Sequence, residues 1–309
     1  SENTLAAGYV SPDGIAQISN FLGVSTALEA TEDDEGRSFI ARVLPQLLRN
    51  SVREVFWTAT KTEQGIEDKY TVTLEQETAA VARETLIVPN GQTASNAAEF
   101  LPQDAASVTR YNLQNPQIAW RSLVLVAGKN TDPVSGKILT TFAGSLFDPY
   151  GVGDAETFLS AVESEIYTMH LDREGEKAAA VVTVKDAETL KKTIPEINFK
   201  AAPEKVFNAD LWKSEDGETS AAFIENKLIL GDPEAVRKSL EARQTGQNFS
   251  KAPEFARLNA SRAPAATFGK DQTESVIEVL GEKKADNLQL FTAFTTETRF
   301  TEKGIERRT

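Results

Sequence analysis

His170 is the only histidine of the chain, and the sequence contains no cysteine. Imidazole and thiolate groups are the usual protein ligands of zinc and other transition metals, so a metal cofactor is not expected. A serine hydrolase would need His170 as its base, but the chain has no G-x-S-x-G nucleophile motif. The alternation between Glu165 and Leu171 puts His170 on the more polar side of a strand. We therefore predict a surface histidine without a catalytic role.

Carboxylate chemistry is the remaining route to catalysis, since glycosidases and aspartic proteases work with paired acidic side chains. The 46 aspartates and glutamates permit many pairs, and no spacing singles one out. The acidic segment Glu29 to Gly36 lacks the alternating carboxylates and the closing glutamate of a calcium loop, and it predicts a flexible, solvated loop. The alternative function is therefore a hydrolase, of glycosidase or peptidase type, that uses carboxylates alone.

Two further segments could bind a ligand, but the sequence favours a structural role for each. Asp148 to Asp154 holds two glycines before a helix, but it has neither the P-loop lysine nor the G-x-G-x-x-G spacing, so it predicts a helix-entry turn. Trp212, near the turn Glu215 to Gly217, could stack on a sugar; its apolar neighbours favour core packing, as they do for Trp57 and Trp120. The sequence thus identifies no catalytic residue, no cofactor-binding residue and no metal ligand, and no cofactor is expected.

The composition is that of a globular protein with an acidic surface. Of the 309 residues 40% are hydrophobic and 26% charged, and the net charge is −13. This charge repels nucleic acids and anionic membrane surfaces, so neither is expected as a partner. No apolar run approaches the roughly 20 residues of a membrane span, which predicts no membrane insertion of this segment. The absence of cysteine favours an oxidising compartment, and Ser1 as first residue indicates a processed chain or an excised piece.

A repeated motif organises the elements of the chain. Val55 to Tyr70 corresponds to Phe294 to Thr309, and the motif Thr-Glu-x-Gly-Ile-Glu begins at Thr62 in the first copy and at Thr301 in the second. Polar and apolar residues alternate on both sides of each glycine, which supplies the positive φ of a tight turn. Each copy therefore predicts a β-hairpin, and the recurrence predicts an internal duplication.

The duplication extends to the elements before each hairpin. Leu5 to Val10 predicts a strand, and the helix after it ends at Gly23. Four apolar residues form one face of this helix: Ile15, Ile18, Phe21 and Leu22. The same order of strand and helix recurs at Ala265 to Gly281. The first copy is longer, because it also holds the acidic segment and a further helix at Phe39 to Leu48.

The remaining pattern alternates hairpins with single helices. Thr78 to Ala98 predicts a loop with a short strand at Leu86 to Val88. Further strands are predicted near residues 107–113, 165–171, 177–184, 205–213, 219–224 and 227–230, and further helices near 120–126, 136–147, 154–162, 186–194 and 234–243. This order is typical of an α+β fold, with antiparallel sheets, helices packed on one face and internally duplicated strand-helix-hairpin units.

Three segments follow from this pattern. Residues 1–95 form the first strand-helix-hairpin unit with its acidic insert, residues 96–262 a central α+β block, and residues 263–309 a partial second copy of the first unit. The strand after Gly304 stops at Thr309, whereas its first-copy counterpart runs on to Leu74. We therefore expect the second hairpin to be cut short, the strand Leu288 to Phe300 to keep an unpaired edge, and the chain to associate or fray at 300–309.

Two motifs in the central block resemble those of a protein family. The first is Leu101, Pro102, Asp104 and Ala105, leading into a strand; the second runs from Ala221 to Val236, from a strand into a helix. Both resemble an uncharacterised bacterial family of secreted or envelope-anchored proteins, in which an "LPxDA" strand start and an "lvlG-peal" strand-to-helix turn recur within repeated α+β units. The resemblance implies an extracytoplasmic bacterial protein of unknown function and identifies no catalytic residues.

Taken with the absence of a catalytic motif, the repeat and the resemblance predict a non-catalytic binding or scaffold protein of the bacterial cell envelope or exterior. The expected partner is a protein or a peptide.

We predict that EDTA leaves the melting temperature of the protein unchanged, since one histidine and no cysteine cannot form a transition-metal site. Thermal denaturation followed by circular dichroism, with and without EDTA, measures this. A fall of several degrees in Tm would show that oxygen ligands hold a cation such as calcium, and would contradict the prediction.

Overall fold

The computed structural model describes residues 3–30, 34–63, 65–89, 96–173, 175–270 and 293–309, and the chain forms two compact units. Unit 1 comprises Ser1–Ile87, Ile118–Ala143 and Thr298–Thr309, and unit 2 comprises Val88–Gln117 and Gly144–Glu297. These units do not coincide with the predicted segments 1–95, 96–262 and 263–309, because the chain leaves unit 1 and returns to it twice.

Helices and antiparallel strands together confirm the α+β fold class. In chain order the strands are β1 (Thr4–Val10), β2 (Val52–Thr62), β3 (Gly65–Leu74), β4 (Ser107–Asn112), β5 (Val162–His170), β6 (Ala178–Val184), β7 (Glu204–Val206), β8 (Ala209–Lys213), β9 (Ser220–Ile224), β10 (Lys227–Gly231), β11 (Ala265–Lys270), β12 (Ala293–Phe300) and β13 (Gly304–Arg308). The α-helices are α1 (Pro12–Ala30), α2 (Asp34–Ser51), α3 (Gln76–Thr85), α4 (Pro116–Lys129), α5 (Pro133–Phe142), α6 (Ala155–Ser160), α7 (Ala187–Lys192), α8 (Pro233–Thr245) and α9 (Pro253–Ala260). Short 3-10 helices cover Ala97–Phe100, Ala143–Tyr150 and Phe249–Lys251.

The sheet of unit 1 follows the strand order β1-β2-β3-β13, and neighbouring strands are antiparallel. β2 and β3 form the predicted first hairpin, and β12 leads into β13 through a tight turn. β13 pairs with β3 along its whole length, from Gly304 opposite Thr73 to Arg308 opposite Lys69. The two hairpins thus meet through their second strands. Because Lys69 and Arg308 each lie four positions after their turn glycine, an approximate two-fold axis between them relates the hairpins.

The expected unpaired edge of the strand that ends at Phe300 is wrong for residues 293–300, because β12 lies between β13 and β11 in the strand order; residues 288–292 lie outside the described residues. The outer edge of β13 is covered by β3. Both backbone groups of Thr309 bond to Asp68, each at 2.9 Å. The N–H group of Leu74 also donates to the carbonyl oxygen of Lys303, at 2.8 Å. In strand order β13 lies between β3 and β12, so the C-terminal strand is an internal strand. The sequence does not indicate this, since it shows two similar hairpins but not that they pair with each other.

α1 is longer than predicted. It continues through Gly23 to Ala30, because Gly23 lies in a contact with α2 and not at a helix end. The predicted acidic loop is largely helical, since only residues 31–33 separate α1 from α2, and these three lie outside the described residues. Residues 271–292 also lie outside the described residues, and with them the predicted second-copy helix up to Gly281; the strand before it is confirmed as β11.

α3 replaces part of a predicted loop. The carboxylate of Glu75 accepts hydrogen bonds from the N–H groups of Glu77 and Thr78, at 2.8 and 3.3 Å, and so caps the helix. The alanine-rich sequence after it has high helix propensity. The predicted strand at 86–88 does not form, because Leu86 ends α3 and is buried there. Glutamate is not among the preferred capping residues, which is why the sequence pattern did not mark this start.

Unit 2 contains the strand order β11-β4-β5-β6-β10-β9-β8-β7, with antiparallel neighbours. The predicted hairpins are confirmed, except that Phe207 and Asn208, both with positive φ, form a turn that divides one predicted strand into β7 and β8. Asp154, Asp186 and Asp232 cap α6, α7 and α8, as is usual for aspartate at this position.

The continuous hydrophobic core belongs to unit 2 and includes residues of both family-like motifs. Leu101 and Ala105 come from the first motif, and Ala222, Ile229 and Val236 from the second. All five are almost completely buried. The apolar residues of both motifs therefore have a packing role. Their recurrence needs no functional explanation.

Gly231 of the second motif shows a constraint of a different kind. Its φ is +134°, and a Cβ atom there would overlap the carbonyl oxygen of Ala178 on β6. The backbones of β10 and β6 approach at this point, and Asp232 directly afterwards caps α8. Only glycine meets both demands.

We predict that Gly231→Ala lowers the free energy of unfolding by about 3 kcal/mol, because it combines backbone strain with steric overlap. Gly217 is the matched control, since its φ is +78° but a Cβ atom there would meet no neighbour. Gly217→Ala is expected to cost about 1 kcal/mol. Urea unfolding measures both variants. Equal losses would show that the contact with Ala178 relaxes freely, and would contradict the prediction.

Candidate binding surface

Large apolar side chains are exposed mainly in unit 1. Of those that the described residues expose, all but Tyr111, Leu146 and Phe207 belong to this unit. The core cluster, in contrast, belongs entirely to unit 2. Contiguous exposed apolar residues mark interaction surfaces in soluble proteins. Unit 1 is therefore the candidate for binding.

α1 carries the densest part of this exposed group. Phe21 is 73% exposed and Leu28 62% exposed. The α1 surface is defined as the five large apolar residues that this helix exposes: Ile18, Phe21, Leu22, Val24 and Leu28. Between Gly14 and Leu28 the helix has no charged residue, so the exposed apolar side chains are not interrupted by charge. None of the described helices is both long and apolar enough to cross a membrane.

Small residues explain why the large residues of α1 face outward. The buried side of α1 has a residue every four positions, Ile15, Ser19, Gly23 and Ala27, and this side packs against α2. A Cβ atom on Gly23 would lie 2.6 Å from Cγ of Pro45 in α2. Helices that approach this closely have room only for small side chains at the contact. Of the four residues predicted for the core face, only Ile15 is buried.

Two glycines also approach each other where α4 turns into α5. A Cβ atom on Gly136 would lie 2.5 Å from the carbonyl oxygen of Gly128. Exposed large apolar residues occur on these two helices as well: Ile118, Leu123, Leu125 and Val134.

His170 is half-buried at the end of β5, so the predicted surface position is only partly correct. Burial lowers the pKa of its imidazole below the ordinary value, and the nearby carboxylate of Asp172 offsets part of this shift. Among the described residues, no hydrogen bond joins its side chain to a serine or to a carboxylate. A triad at this histidine has no support in the described geometry.

Trp212 packs within an aromatic cluster. Its ring lies edge-on to Phe199 and Phe223, with centroid distances of 5.4 and 6.1 Å. Its indole N–H donates to the carbonyl oxygen of Ala201 at 2.9 Å. The groove beside this cluster is lined by residues of both charges, among them Lys191 and Glu196. All three rings are only partly buried, so the cluster lies at the surface and the predicted core packing of Trp212 is only partly correct.

The other sequence candidates have structural roles. Asp148–Asp154 forms a turn that leads into α6, and the carboxylate of Asp154 accepts a hydrogen bond from the N–H group of Thr157 at 3.0 Å. In the part of the chain that the structure describes, no three acidic or histidine side chains are grouped as metal ligands.

The surroundings of six described carboxyl groups favour the charged form. Where their surroundings shift the pKa of one of them, the shift is downward, because hydrogen bonds from hydroxyl, ammonium or backbone groups stabilise the carboxylate. These groups are Asp132, Asp154, Asp186, Asp216, Glu234 and Glu306. A general acid needs the opposite shift, so none of these six groups has the character of a catalytic acid.

A buried charge network in unit 2 escaped the sequence analysis. Nε of Arg110 donates to Oε1 of Glu165 at 2.8 Å, and the hydroxyl of Tyr167 donates to the same oxygen at 3.2 Å. Both charged side chains are no more than 5% exposed. Burial, reinforced by the charge of Glu165, raises the pKa of Tyr167. Arg110 also donates to the carbonyl oxygen of Ser261 at 3.1 Å. These partners are internal, which indicates a structural role.

Comparison with known proteins assigns no function to this chain. No protein-family model matches it, and no curated protein matches it. Among solved structures, crystal form I of TP0453 is similar with a TM-score of 0.39 and 10% identity, over 68% of this chain and 75% of that chain. Crystal form III of TP0453 has a TM-score of 0.36 and 9% identity, over 67% of this chain and 75% of that chain. These values are too low to carry an inference about function.

We predict that the unfolding free energy falls as the pH is lowered from about 7 to 5, because the unfolded chain binds a proton at its histidine more readily than the native chain does. His170 is the only histidine, so His170→Asn should flatten this slope. Denaturant titrations at several pH values measure it. An unchanged slope in His170→Asn would mean that other groups titrate in this range, and the assignment to burial of His170 would be lost.

Proposed function

We propose that this chain is a non-catalytic binding or scaffold protein of the bacterial cell envelope or exterior, and that unit 1 presents its binding surface. One observation carries the proposal: unit 1 holds nearly all of the large apolar side chains that the described residues expose.

The free energy left unused at this surface supports a binding role. Burial of a large aliphatic or aromatic side chain is worth about 1.5–3 kcal/mol. Three residues of the α1 surface, Phe21, Val24 and Leu28, are more than half exposed and forgo most of this free energy in the free chain. Since the helix contact beneath them is closed by small residues, no internal rearrangement of side chains can bury them in place. A partner that covers the surface recovers this free energy as binding.

The geometry gives less support to a hydrolase that uses carboxylates alone. Retaining and inverting glycosidases need one carboxyl group with a raised pKa beside one that stays charged. The six shifted carboxyl groups of the described chain all have lowered pKa values, and they act as helix caps, turn acceptors or ion-pair partners: Glu234 binds Lys177 at 2.7 Å, for example. No observation singles out an acid and base pair.

The extracytoplasmic location is supported by the sequence. The chain has no cysteine to be oxidised, and its two motifs resemble those of a secreted or envelope-anchored bacterial family. Leu101 of the first motif packs in the core, and Gly231 of the second allows a close backbone approach, so both motifs have structural roles.

We predict that Phe21→Ser/Leu28→Ser lowers the fluorescence of the apolar probe bis-ANS bound to dilute protein several-fold while leaving the melting temperature within a few degrees of wild type. The reason is that both side chains are exposed and contribute little to the fold. The matched control is Leu146→Ser/Phe207→Ser, which removes two exposed apolar residues of unit 2 and should change the signal little.

Equal fluorescence from the two double variants would show that unit 1 has no preferred apolar binding surface. A large loss of stability in Phe21→Ser/Leu28→Ser would show that these residues serve the fold. Either result would overturn the proposed function.

A further inference from the structure

The helices of unit 1 differ in charge from the chain as a whole. The chain has 46 acidic and 33 basic residues and a net charge of −13. In contrast, residues 36–53, which include most of α2, together with α4 and α5 contain basic residues and no acidic one. The net charge predicts repulsion of anions, but its distribution leaves these helices positive. Their seven basic residues are Arg37, Arg42, Arg49, Arg53, Arg121, Lys129 and Lys137.

Two of these arginines border the α1 surface. Pro45 of α2 lies against Gly23 of α1. Arg42 precedes Pro45 by three residues and Arg49 follows it by four, so both lie along the side of α2 that contacts α1. Both side chains are exposed, and Nε of Arg49 donates to the carbonyl oxygen of Pro45 at 3.1 Å. Among the described residues, neither guanidinium group pairs with a carboxylate.

The apolar residues beside these arginines form an extended strip. The uncharged part of α1, from Ile15 to Leu28, is about 21 Å long. Val134 of α5 is 63% exposed, and the turn before it is held against α2, because Nε2 of Gln46 donates to Oδ2 of Asp132 at 3.1 Å. The exposed apolar side chains therefore belong to two helices that each adjoin the basic helix α2.

A phospholipid bilayer offers both kinds of complementary group at its surface. Phosphate oxygens accept paired hydrogen bonds from the guanidinium group of arginine, and an apolar layer lies directly beneath the phosphates. A helix in the plane of this interface buries its apolar face by about 5–10 Å while basic residues contact the headgroups. In this arrangement α1 lies on the membrane and does not cross it.

The shape of the surface favours a bilayer over an acidic peptide. A peptide that docks on helices needs a groove to receive its apolar residues. Phe21, Leu28 and Val134 are each more than 60% exposed, so they project from their helices and do not line a groove. A fluid bilayer accommodates projecting side chains without a matching shape.

We propose that unit 1 binds the surface of a phospholipid bilayer, with the α1 surface in the apolar layer and Arg42 and Arg49 on lipid phosphate groups. This inference rests on the proposed function, because it names the occupant of the same surface.

Matched arginine variants test the contact with phosphate. We expect wild type to cosediment with vesicles of phosphatidylcholine and phosphatidylglycerol, and Arg42→Gln/Arg49→Gln to bind them about tenfold more weakly. The control is Arg237→Gln/Arg257→Gln, which removes two exposed arginines of unit 2. Both variants have the same net charge, so the control, which should bind like wild type, separates the position of the arginines from the total charge.

A fluorescent label tests the depth of α1, because the chain has no cysteine of its own. Leu28→Cys labelled with the polarity-sensitive dye NBD should gain fluorescence and shift to shorter wavelength when these vesicles are added, since the label enters the apolar layer. Glu215→Cys, at an exposed turn of unit 2, is the control and should not respond.

A wild-type chain that does not cosediment with the vesicles would overturn the proposed membrane contact. Equal weakening by the two arginine variants, or an equal response of the two labels, would overturn it as well. If vesicles do not bind but bis-ANS still reports Phe21 and Leu28, the surface serves a protein partner; only the occupant is then wrong, and the proposed function stands. If substitution of those two residues leaves bis-ANS binding unchanged, the proposed function itself fails.

Discussion

The pairing of β3 with β13 is the contact on which the arrangement of unit 1 depends. It joins two related hairpins that are far apart in sequence, and it does so through backbone hydrogen bonds along the whole of β13. The ion pair of Lys69 with Glu306, at 2.7 Å, crosses the same pair of strands, but a partly exposed ion pair adds little. Because the hairpins meet through their second strands, the edge that each would expose alone is used up.

The two units use apolar residues in different ways. Unit 2 buries large side chains in one continuous cluster, and its stability follows from that burial. In unit 1, α1 packs on α2 through Gly23, and the large apolar side chains of α1 lie outside. The stability of unit 1 then depends more on strand pairing and close helix contact than on a core. Structure with few buried apolar contacts opens more easily, and this suits a unit whose surface is completed by a partner.

The buried pair of Arg110 and Glu165 illustrates how unit 2 secures its strand register. Arg110 lies opposite Tyr167, and Glu165 opposite Asn112, so the charged side chains share the core face of β4 and β5. A shift of one residue would move every side chain to the other face and would separate the pair. A buried charge without its partner is costly. The network therefore penalises misregistered pairing even where it adds little to the net stability.

Local pattern was sufficient for much of the fold. The α+β class, both hairpins, the meander around β9 and β10, and the aspartate caps at 154 and 186 follow from alternation, turn glycines and capping preferences, which act over a few residues. The sequence pattern does not predict the cap at Glu75, because glutamate rarely fills a capping position. It predicts that α1 ends at Gly23, because glycine commonly ends helices. In both cases the residue type alone predicts the wrong helix boundary.

What the sequence by itself determined was the set of elements, the lack of catalytic motifs and the presence of apolar residues on α1. Only the tertiary structure decided which side of α1 is covered and which strand edges are closed. Periodicity shows that Ile18, Phe21 and Leu22 are apolar, but not that Pro45 approaches Gly23 and leaves no room for them. Likewise, repetition shows two hairpins but not their mutual pairing. Both outcomes depend on contacts between residues far apart in the chain, and such contacts leave no local periodicity to read.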